Sequence, residues 1–562
     1  MTHQTALGTW TESERTKHID ELINSPCIWD LVVVGGGITG AGIFHEASAR
    51  GLKVLLVEQK DFAWGTSSRS SKMVHGGLRY LGKGQIGLAK DSVQERQKLL
   101  TELKGLVNPL PFMMGHYKGK FPGPWVFDKL LAIYDWLAGR KQRKFIDNAL
   151  TEFWVPGLTQ SHLLGATQFG DAVTDDSRLV MRVLHEAREC GGIAINYLKA
   201  LKPVTSPDTN VVSGLMLEDD VSGRVFQVSA RAVVNASGAW TDELRQCLGK
   251  GAVIRPLRGS HLIVPFHRLP VSFSVSFFHP KDKRPVFVFP WEGTSVIGTT
   301  DLDHRESLGG EATIEQVELD YLLEAANAQF SSANLGLDDI ISSWSGVRPV
   351  VVEETAEAAS ENVGTDAEST ATKPSDETRE HAIWDDQGLI SIAGGKLTTY
   401  RLLALEVLRK AQPYLADRLS LNSLETATRF KAVELTSSKV SPMQLERLIG
   451  RFGLSAGDIL ASGALRHVAT TDTFLAELQW SCRHETIIHL DDLLLRRARL
   501  GLLLPEGGLA LAELFKRLCQ RHLNWDEQRW SAEWSRYQDI IQTHYALPIE
   551  AKNETVTEAV SA

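Results

Sequence analysis

Along this 562-residue chain the sharpest pattern of apolar and polar positions lies between Trp29 and Glu58. Leu31–Val34 is an unbroken apolar run, as a strand buried on both faces requires. A glycine turn follows, then a helical period to about Arg50, then a second apolar run, Val54–Val57, closed by Glu58. Strand, turn, helix and strand in this order predict one unit of a parallel sheet. Ala194–Leu201 and Arg231–Ala236 read as further strands of the same layer, with a helix over Leu179–Glu189. Leu389–Ala393 reads as another, followed by a glycine turn and a helix to about Lys410. The runs H-L-I-V-P, P-V-F-V-F-P-W and S-V-I-G-T-T within Leu257–Thr300 are rich in β-branched and aromatic residues and predict an antiparallel sheet. From about Ala432 the period is helical. One helix starts at Ser441-Pro442, another covers Glu485–Leu500, and the box-like Asn524-Trp-Asp-Glu527 opens a third to about His544. Thr11–Glu14 has capping-box form and starts a short helix through Ile23, and a further helix is expected around Ala89–Leu103.

These elements predict an α/β protein. A discontinuous Rossmann-like nucleotide-binding domain spans 29–110, 160–256 and 340–425, after an extension over 1–28. An inserted antiparallel-sheet substrate domain takes 111–159 and 257–339, and a separate C-terminal α-helical domain takes 432–548. Between them, 353–380 carries nine acids among Ala, Ser and Thr. It is too poor in large apolar side chains to bury itself and is expected to be a flexible loop.

Composition narrows the class. A net charge of −9 and a pI near 6 argue against a nucleic-acid partner. The five cysteines are scattered without a C-x-x-C pair, so neither a disulfide framework nor a metal site is expected. Residues 1–28 lack a signal-peptide core, and no run approaches the ~20 apolar residues of a membrane span. A cytoplasmic protein is expected, and any membrane contact is peripheral. Pro111–Phe145 mixes aromatics with bases: Phe112, Tyr117, Phe121, Trp125, Phe127, Tyr134 and Trp136 among Lys118, Lys120, Lys129, Arg140, Lys141, Arg143 and Lys144. The helical spacing of Trp125–Leu137 fits a helix lying in an anionic membrane interface, and equally a core helix with a solvated basic turn.

Candidate chemistry begins at Gly35, Gly37 and Gly40, which fit G-x-G-x-x-G. The first permits the turn, the second lets backbone approach a pyrophosphate, and the third lets helix and strand pack closely. The helix start offers free N–H groups and a positive dipole end to phosphate. Glu58, 18 residues after Gly40, can accept from ribose hydroxyls. This stretch reads as a dinucleotide site. N-A-S-G-A-W (235–240) and the turn at Gly394-Gly395 are two more places where small residues allow close backbone approach.

Six motifs then carry a resemblance. V-V-G-G-G-I-T-G-A-G (33–42), T-S-S-R-S-S-K-M-V-H-G-G-L-R-Y-L (66–81), R-G-S-H-L-I-V-P (258–265), I-G-T-T-D (297–301), S-G-V-R-P (345–349) and G-G-K-L-T-T-Y-R (394–401) stand in the order of the FAD-dependent, respiratory glycerol-3-phosphate dehydrogenases. The chain resembles that family, within the glycine/D-amino-acid-oxidase type of flavoproteins. The resemblance implies FAD, held by Gly35, Gly37, Ile38, Thr39, Gly40, Glu58 and Gln59. It adds Thr66, Ser67, Ser68, Lys72, His75, Gly76 and Gly77, then Ala200, Ser237 and Gly238, and last Gly395, Lys396, Leu397 and Thr398.

The substrate so implied is sn-glycerol 3-phosphate, whose dianion needs charge-assisted donors. Arg79, Arg348, Arg379 and Lys396 are the cations nominated, with Tyr80 beside them. His261 is the candidate base for the hydroxyl proton, because an unperturbed histidine titrates near 6.5, and Lys396 is its rival. The implied partners are a membrane quinone as electron acceptor and an anionic surface on the cytoplasmic face of the inner membrane; a homodimer is compatible. The same motifs would serve an oxidase that uses O₂. An amine or amino-acid oxidase of this flavoprotein type needs fewer cations, and a non-catalytic flavin-binding protein would not need the substrate residues.

Overall fold

The computed structural model describes residues 10–82, 84–352 and 381–548, with the side chains of Arg79 and Ala416 excepted. The acidic stretch 353–380 and Arg379 within it lie outside the described residues.

The apolar runs do become a parallel layer. Strand Ile28–Val34 sits between Val54–Val57 and Val225–Asn235, with Ile193–Ile195 beyond one and Leu389–Ala393 beyond the other, all parallel. A hairpin, Leu198–Thr205 and Val212–Asp219, extends Val225–Asn235 antiparallel, and Ala382–Asp386 closes the far edge. Helices Ile38–Ser48, Asp176–Glu189 and Tyr400–Leu415 cover one face and share a core with Leu31, Val33 and Leu56, which are fully buried. Thr11 caps the first helix, Glu12–Asn24, by accepting from the Glu14 amide at 3.3 Å. That helix covers the other face through Ile19 and Leu22.

The second layer is a ten-stranded sheet, and it reaches further than the sequence pattern suggested. Val107–Tyr117 and Leu163–Thr174 pair along their length within it, and Ser342–Val351 pairs with Ile254–Pro265 over ten residues. Leu163–Thr174 and Ser342–Val351 therefore lie in the substrate-side sheet, whereas the sequence pattern places 160–256 and 340–425 in the nucleotide domain. Alternating apolar positions fit either layer, so only pairing decides. One contact in this sheet is parallel, Ser274–Phe278 against Val107–Tyr117.

The C-terminal helices have a core of their own around Leu448, Phe452, Ile459 and Phe474, and they also pack on the second sheet. Leu478, Leu493, Phe515 and Tyr537 pack in one core with Phe112, Phe169, Trp291 and Trp344 of the second sheet. Ser441 caps Pro442–Phe452 as its box requires. A helix over Glu485–Leu500 does not form as such. Leu475–His484 ends just before Glu485, and a wide turn, Asp492–Arg497, follows. Glu485 is fully buried and takes both Nη atoms of Arg178, with His185 Nε2 at 2.9 Å. The last helix is Glu527–Ile540, capped by Asp526 and not Asn524, whose φ is +56°.

Candidate active site

Three turns from three neighbouring parallel strands open on one cleft. After Ile28–Val34, Gly35 has φ +107°, and a Cβ there would lie 2.6 Å from the Ala236 carbonyl. A Cβ on Gly40 would collide with the Gly35 carbonyl, so helix Ile38–Ser48 can start this close to the strand only with glycine. After Val225–Asn235 come Ser237 and Gly238, and after Leu389–Ala393 come Gly394 and Gly395. All four line the same cleft as Gly35 and Gly37. It is an open cleft that runs past all three turns, which suits an extended dinucleotide.

Glu58 lines the cleft just after strand Val54–Val57. Its Oε2 accepts from the Gly36 amide at 2.6 Å and its Oε1 from the Lys60 amide at 2.9 Å. Burial still holds its carboxyl above the usual range, against the pull of those amides. A carboxylate whose charge the site under-compensates fits a ligand that brings hydroxyl donors. At the other end Thr66 donates to the Val347 carbonyl, and Ser67 Oγ accepts from the Ile38 amide at 2.9 Å. The loop is thereby tied to the helix start and to the second sheet. These residues fit FAD.

Of the cofactor residues read from the sequence, Gly35, Gly37, Ile38, Thr39, Glu58, Gln59, Thr66, Ser67, Ala200, Ser237, Gly238, Gly395 and Leu397 line the cleft. Gly40, Ser68, Lys72, His75, Gly76, Gly77, Lys396 and Thr398 do not. Lys72 differs most from its expected role. It is wholly buried, with Nζ 3.0 Å from both Asp176 Oδ1 and the Ser68 carbonyl, and it lies over Trp291 and Trp344. Burial, with Arg499 alongside, lowers its pKa to about 8. It holds the loop and does not face the cleft. The His75–Gly77 turn packs against Tyr134, and the His75 carbonyl accepts from Thr398 at 3.2 Å. Sequence reasoning missed Trp64, Ser70, Trp240 and Pro349 in the lining. Ser70, Trp240 and Pro349 stand inside motifs already singled out; Trp64 carries no signal beyond lying beside one.

Of the substrate-side residues described, none lines the cleft itself; Arg348 adjoins it through Pro349. Arg348, next to Pro349, has a side chain 24% exposed. Its Nη1 donates to Asp301 Oδ1 and its Nη2 to Thr299 Oγ1, both at 2.9 Å. His261 stacks on Trp344 and is 1% exposed. Burial, then the charges of Arg348 and Lys72, hold its pKa well below 6.5, so it is neutral at physiological pH. Lys396 Nζ lies 3.4 Å from the centre of the buried Tyr80 ring. Thus His261 with Arg348, and Lys396 with Tyr80, are brought together in pairs. The Arg79 side chain and Arg379 lie outside the described residues.

A buried ionic frame holds the loops. Asp176, fully buried, takes the Ser70 amide and hydroxyl as well as Lys72. Arg499 donates to the Ser68 carbonyl at 2.6 Å, and Arg497 bonds both oxygens of buried Asp61, in the loop after Glu58. The C-terminal domain therefore grips both loops that border the cleft. Among the described residues no His/Cys/Asp/Glu group is placed to hold a metal.

Comparison with known proteins fits this geometry. Residues 30–404 match the FAD dependent oxidoreductase family, and 404–530 match the C-terminal domain of alpha-glycerophosphate oxidase. The chain is 33% identical over 498 residues to the aerobic glycerol-3-phosphate dehydrogenase of Staphylococcus saprophyticus, covering 84% of this chain and 86% of that protein. It is 32% identical over 539 residues to the glycerol-3-phosphate dehydrogenase of Mycobacterium leprae, with 92% and 88% covered. Among solved structures, the glycerol-3-phosphate dehydrogenase of Bacillus halodurans complexed with FAD superposes with a TM-score of 0.69 at 26% identity, covering 94% of this chain and 96% of that one.

Proposed function

Because the chain belongs to the FAD-dependent glycerol-3-phosphate dehydrogenase family, we propose that it oxidises sn-glycerol 3-phosphate to dihydroxyacetone phosphate and passes the electrons to a membrane quinone. FAD is the cofactor, and when bound it supplies the two-electron acceptor for the substrate C2–H. Glu58 and the Gly35–Gly40 turn would hold its adenosine end, and the loops at Thr66–Ser70 and Gly394–Leu397 would hold its flavin end.

The observation that supports the reading is Arg348 beside the cleft residue Pro349, with the buried neutral His261 within reach of its charge. Arg348 and Lys396 bind the phosphate dianion, with Arg79 and Arg379 as the further cations nominated by their motifs. Arg348 is held for this by Thr299 and Asp301 and keeps exposed surface. His261, neutral, accepts the hydroxyl proton. The dianion also offsets the positive charges that depress its pKa, so substrate binding strengthens the base.

Delivery to a quinone is supported by the surface around helix Pro124–Ala138. Its inner face buries Phe127, Leu131 and Tyr134, while Trp125, Ile133 and Trp136 face outward at 72%, 46% and 76% exposure. Phe121, Phe145 and Phe153 are exposed as well. Lys118, Lys120, Lys129, Arg140, Lys141 and Lys144 are exposed around them, whereas Arg143 is committed to Asp128 and Asp135. Outward aromatics ringed by bases suit the interface of an anionic membrane, at roughly 1 kcal/mol per basic residue near the surface. No helix among the described residues is long and apolar enough to cross a membrane.

The match of 404–530 to an oxidase domain favours O₂ as the alternative acceptor. Holoenzyme with glycerol 3-phosphate, assayed anaerobically with a soluble quinone analogue and aerobically for hydrogen peroxide, separates the two. Fast quinone reduction with little peroxide supports the proposal. Stoichiometric peroxide and no quinone reduction would make it an oxidase.

A further inference from the structure

Trp64 and Trp240 enter the cleft lining from two different places, the loop after Val54–Val57 and the turn after Val225–Asn235, and both are half-buried. Their ring centroids are 5.7 Å apart, and a Cβ on Gly65 would come within 3.1 Å of the Trp240 ring. The two indoles thus form one aromatic wall. Each has a single N–H, and both donate to one short segment between strand Leu302–Asp303 and helix Gln316–Gln329. Trp240 Nε1 donates to the Leu308 carbonyl at 3.1 Å, and Trp64 Nε1 to Glu311 Oε1 at 3.0 Å.

That segment is anchored in turn by the end of the C-terminal helices. Arg69 Nη2 pairs with Glu311 Oε2 at 2.7 Å and donates to the Tyr545 hydroxyl at 3.1 Å, while the guanidinium sits over the Trp64 ring. All three side chains, Arg69, Glu311 and Tyr545, are buried. Burial alone would raise the Glu311 carboxyl, but Arg69 and then Arg496 outweigh it and hold the group below its usual range, so it is charged at neutral pH. Two residues further on, Thr313 Oγ1 meets His544 Nδ1 at 2.9 Å. His544 and Tyr545 both belong to the turn Ile541–Tyr545.

A partly buried indole N–H needs an acceptor wherever it lies. That need does not require two donors from separate parts of the chain to share one segment, nor the C-terminal turn to hold it. We propose that Leu308–Thr313 is a clasp on the FAD site: it fixes the indole wall, the Ile541–Tyr545 turn fixes the clasp, and together they set how slowly FAD leaves. The inference rests on FAD as the cofactor and is independent of the substrate and of the electron acceptor. It also has a reciprocal. If the turn strengthens FAD binding, bound FAD stabilises the turn by the same free energy.

The test measures FAD release from the holoenzyme, read as the rise of free-flavin fluorescence after dilution, in Trp64→Phe, Trp240→Phe, Thr313→Val and Tyr545→Phe. Each variant removes one N–H or hydroxyl and keeps most of the side-chain volume. Each should release FAD about two- to tenfold faster than wild type, Thr313→Val and Tyr545→Phe included, although neither residue lines the cleft. Tyr537→Phe is the control. It breaks a 2.6 Å bond to the Gly507 carbonyl in the same C-terminal core and should stay within about twofold of wild type. Release at the wild-type rate in both Thr313→Val and Tyr545→Phe would overturn the proposal. Equal acceleration in Tyr537→Phe would overturn it too, because retention would then follow general stability. Hydrogen–deuterium exchange on the wild-type chain, with and without FAD, tests the reciprocal. Exchange over 305–313 and 541–545 should slow when FAD is bound, and exchange over 541–545 that ignores FAD would refute the clasp even if a variant fails to fold.

Discussion

Replacing Arg348 with Ala tests the substrate reading through two separable effects. The first is lost binding. A hydrogen bond between a guanidinium and a charged acceptor contributes about 1.5–3 kcal/mol, so KM for glycerol 3-phosphate should rise by roughly 10- to 150-fold at about 1.4 kcal/mol per tenfold. The second is structural. Asp301 is 5% exposed and loses its nearest cation, but Arg284 Nη2 remains 3.6 Å away. The loss of stability should therefore fall short of the ~3–5 kcal/mol seen when a buried pair is left with one bare charge. Arg348→Ala/Asp301→Asn separates them: removing the carboxylate should restore the melting temperature and leave KM high. Steady-state kinetics with a soluble acceptor and a thermal melt on the same samples suffice. A KM within twofold of wild type in Arg348→Ala would remove this residue from the phosphate site, and recovery of KM in the double variant would show that misplaced Asp301 was the cause.

Other expectations follow from single contacts. His261→Ala should lower kcat by about 10²–10⁴; a loss below tenfold assigns the proton elsewhere. Arg497→Met removes one buried partner of Asp61 but leaves Arg496 at 2.5 Å, so it should destabilise measurably and by less than the ~3–5 kcal/mol of a bare buried charge. A denaturation midpoint equal to wild type would contradict the ionic frame. Trp125→Glu/Trp136→Glu should abolish sedimentation with anionic vesicles and leave kcat with a soluble acceptor unchanged, whereas undiminished sedimentation would exclude this face. Burial lowers the pKa of His45 to about 3 and of His185 to about 4, against 6.5 in the unfolded chain. The unfolded chain thus binds protons that the folded one refuses, and stability should fall as pH drops from about 6.5 toward 4. A urea midpoint that falls as far between pH 7.5 and 5 in His45→Gln as in wild type would show that His45 does not contribute.

Much of the nucleotide layer was legible because its signals are local. The run Val54–Val57 has one solution, the Thr11 cap bonds three residues on, and Gly35 and Gly40 stand where backbone meets backbone. What escaped depends on distant partners. Ser342–Val351 alternates as either sheet would require, and only Ile254–Pro265 assigns it. Glu485 looks like the start of a helix because acids favour that place, yet it is the buried counter-charge of Arg178. Lys72, in a loop dense with hydroxyls, looks like a phosphate ligand, yet Asp176, more than a hundred positions away, claims it. The site was legible as a set of motifs. Which members face the cleft and which hold it was not, because that distinction is made by burial.

The central claim is that one cleft holds a flavin and the cations that seat a phosphorylated secondary alcohol beside it. Anaerobic addition of glycerol 3-phosphate to the purified holoprotein tests it most directly. The account predicts that the yellow flavin absorbance bleaches within the dead time of mixing by hand and returns when an acceptor is admitted. A flavin that stays oxidised in saturating glycerol 3-phosphate, or a purified chain that binds no FAD, would contradict it.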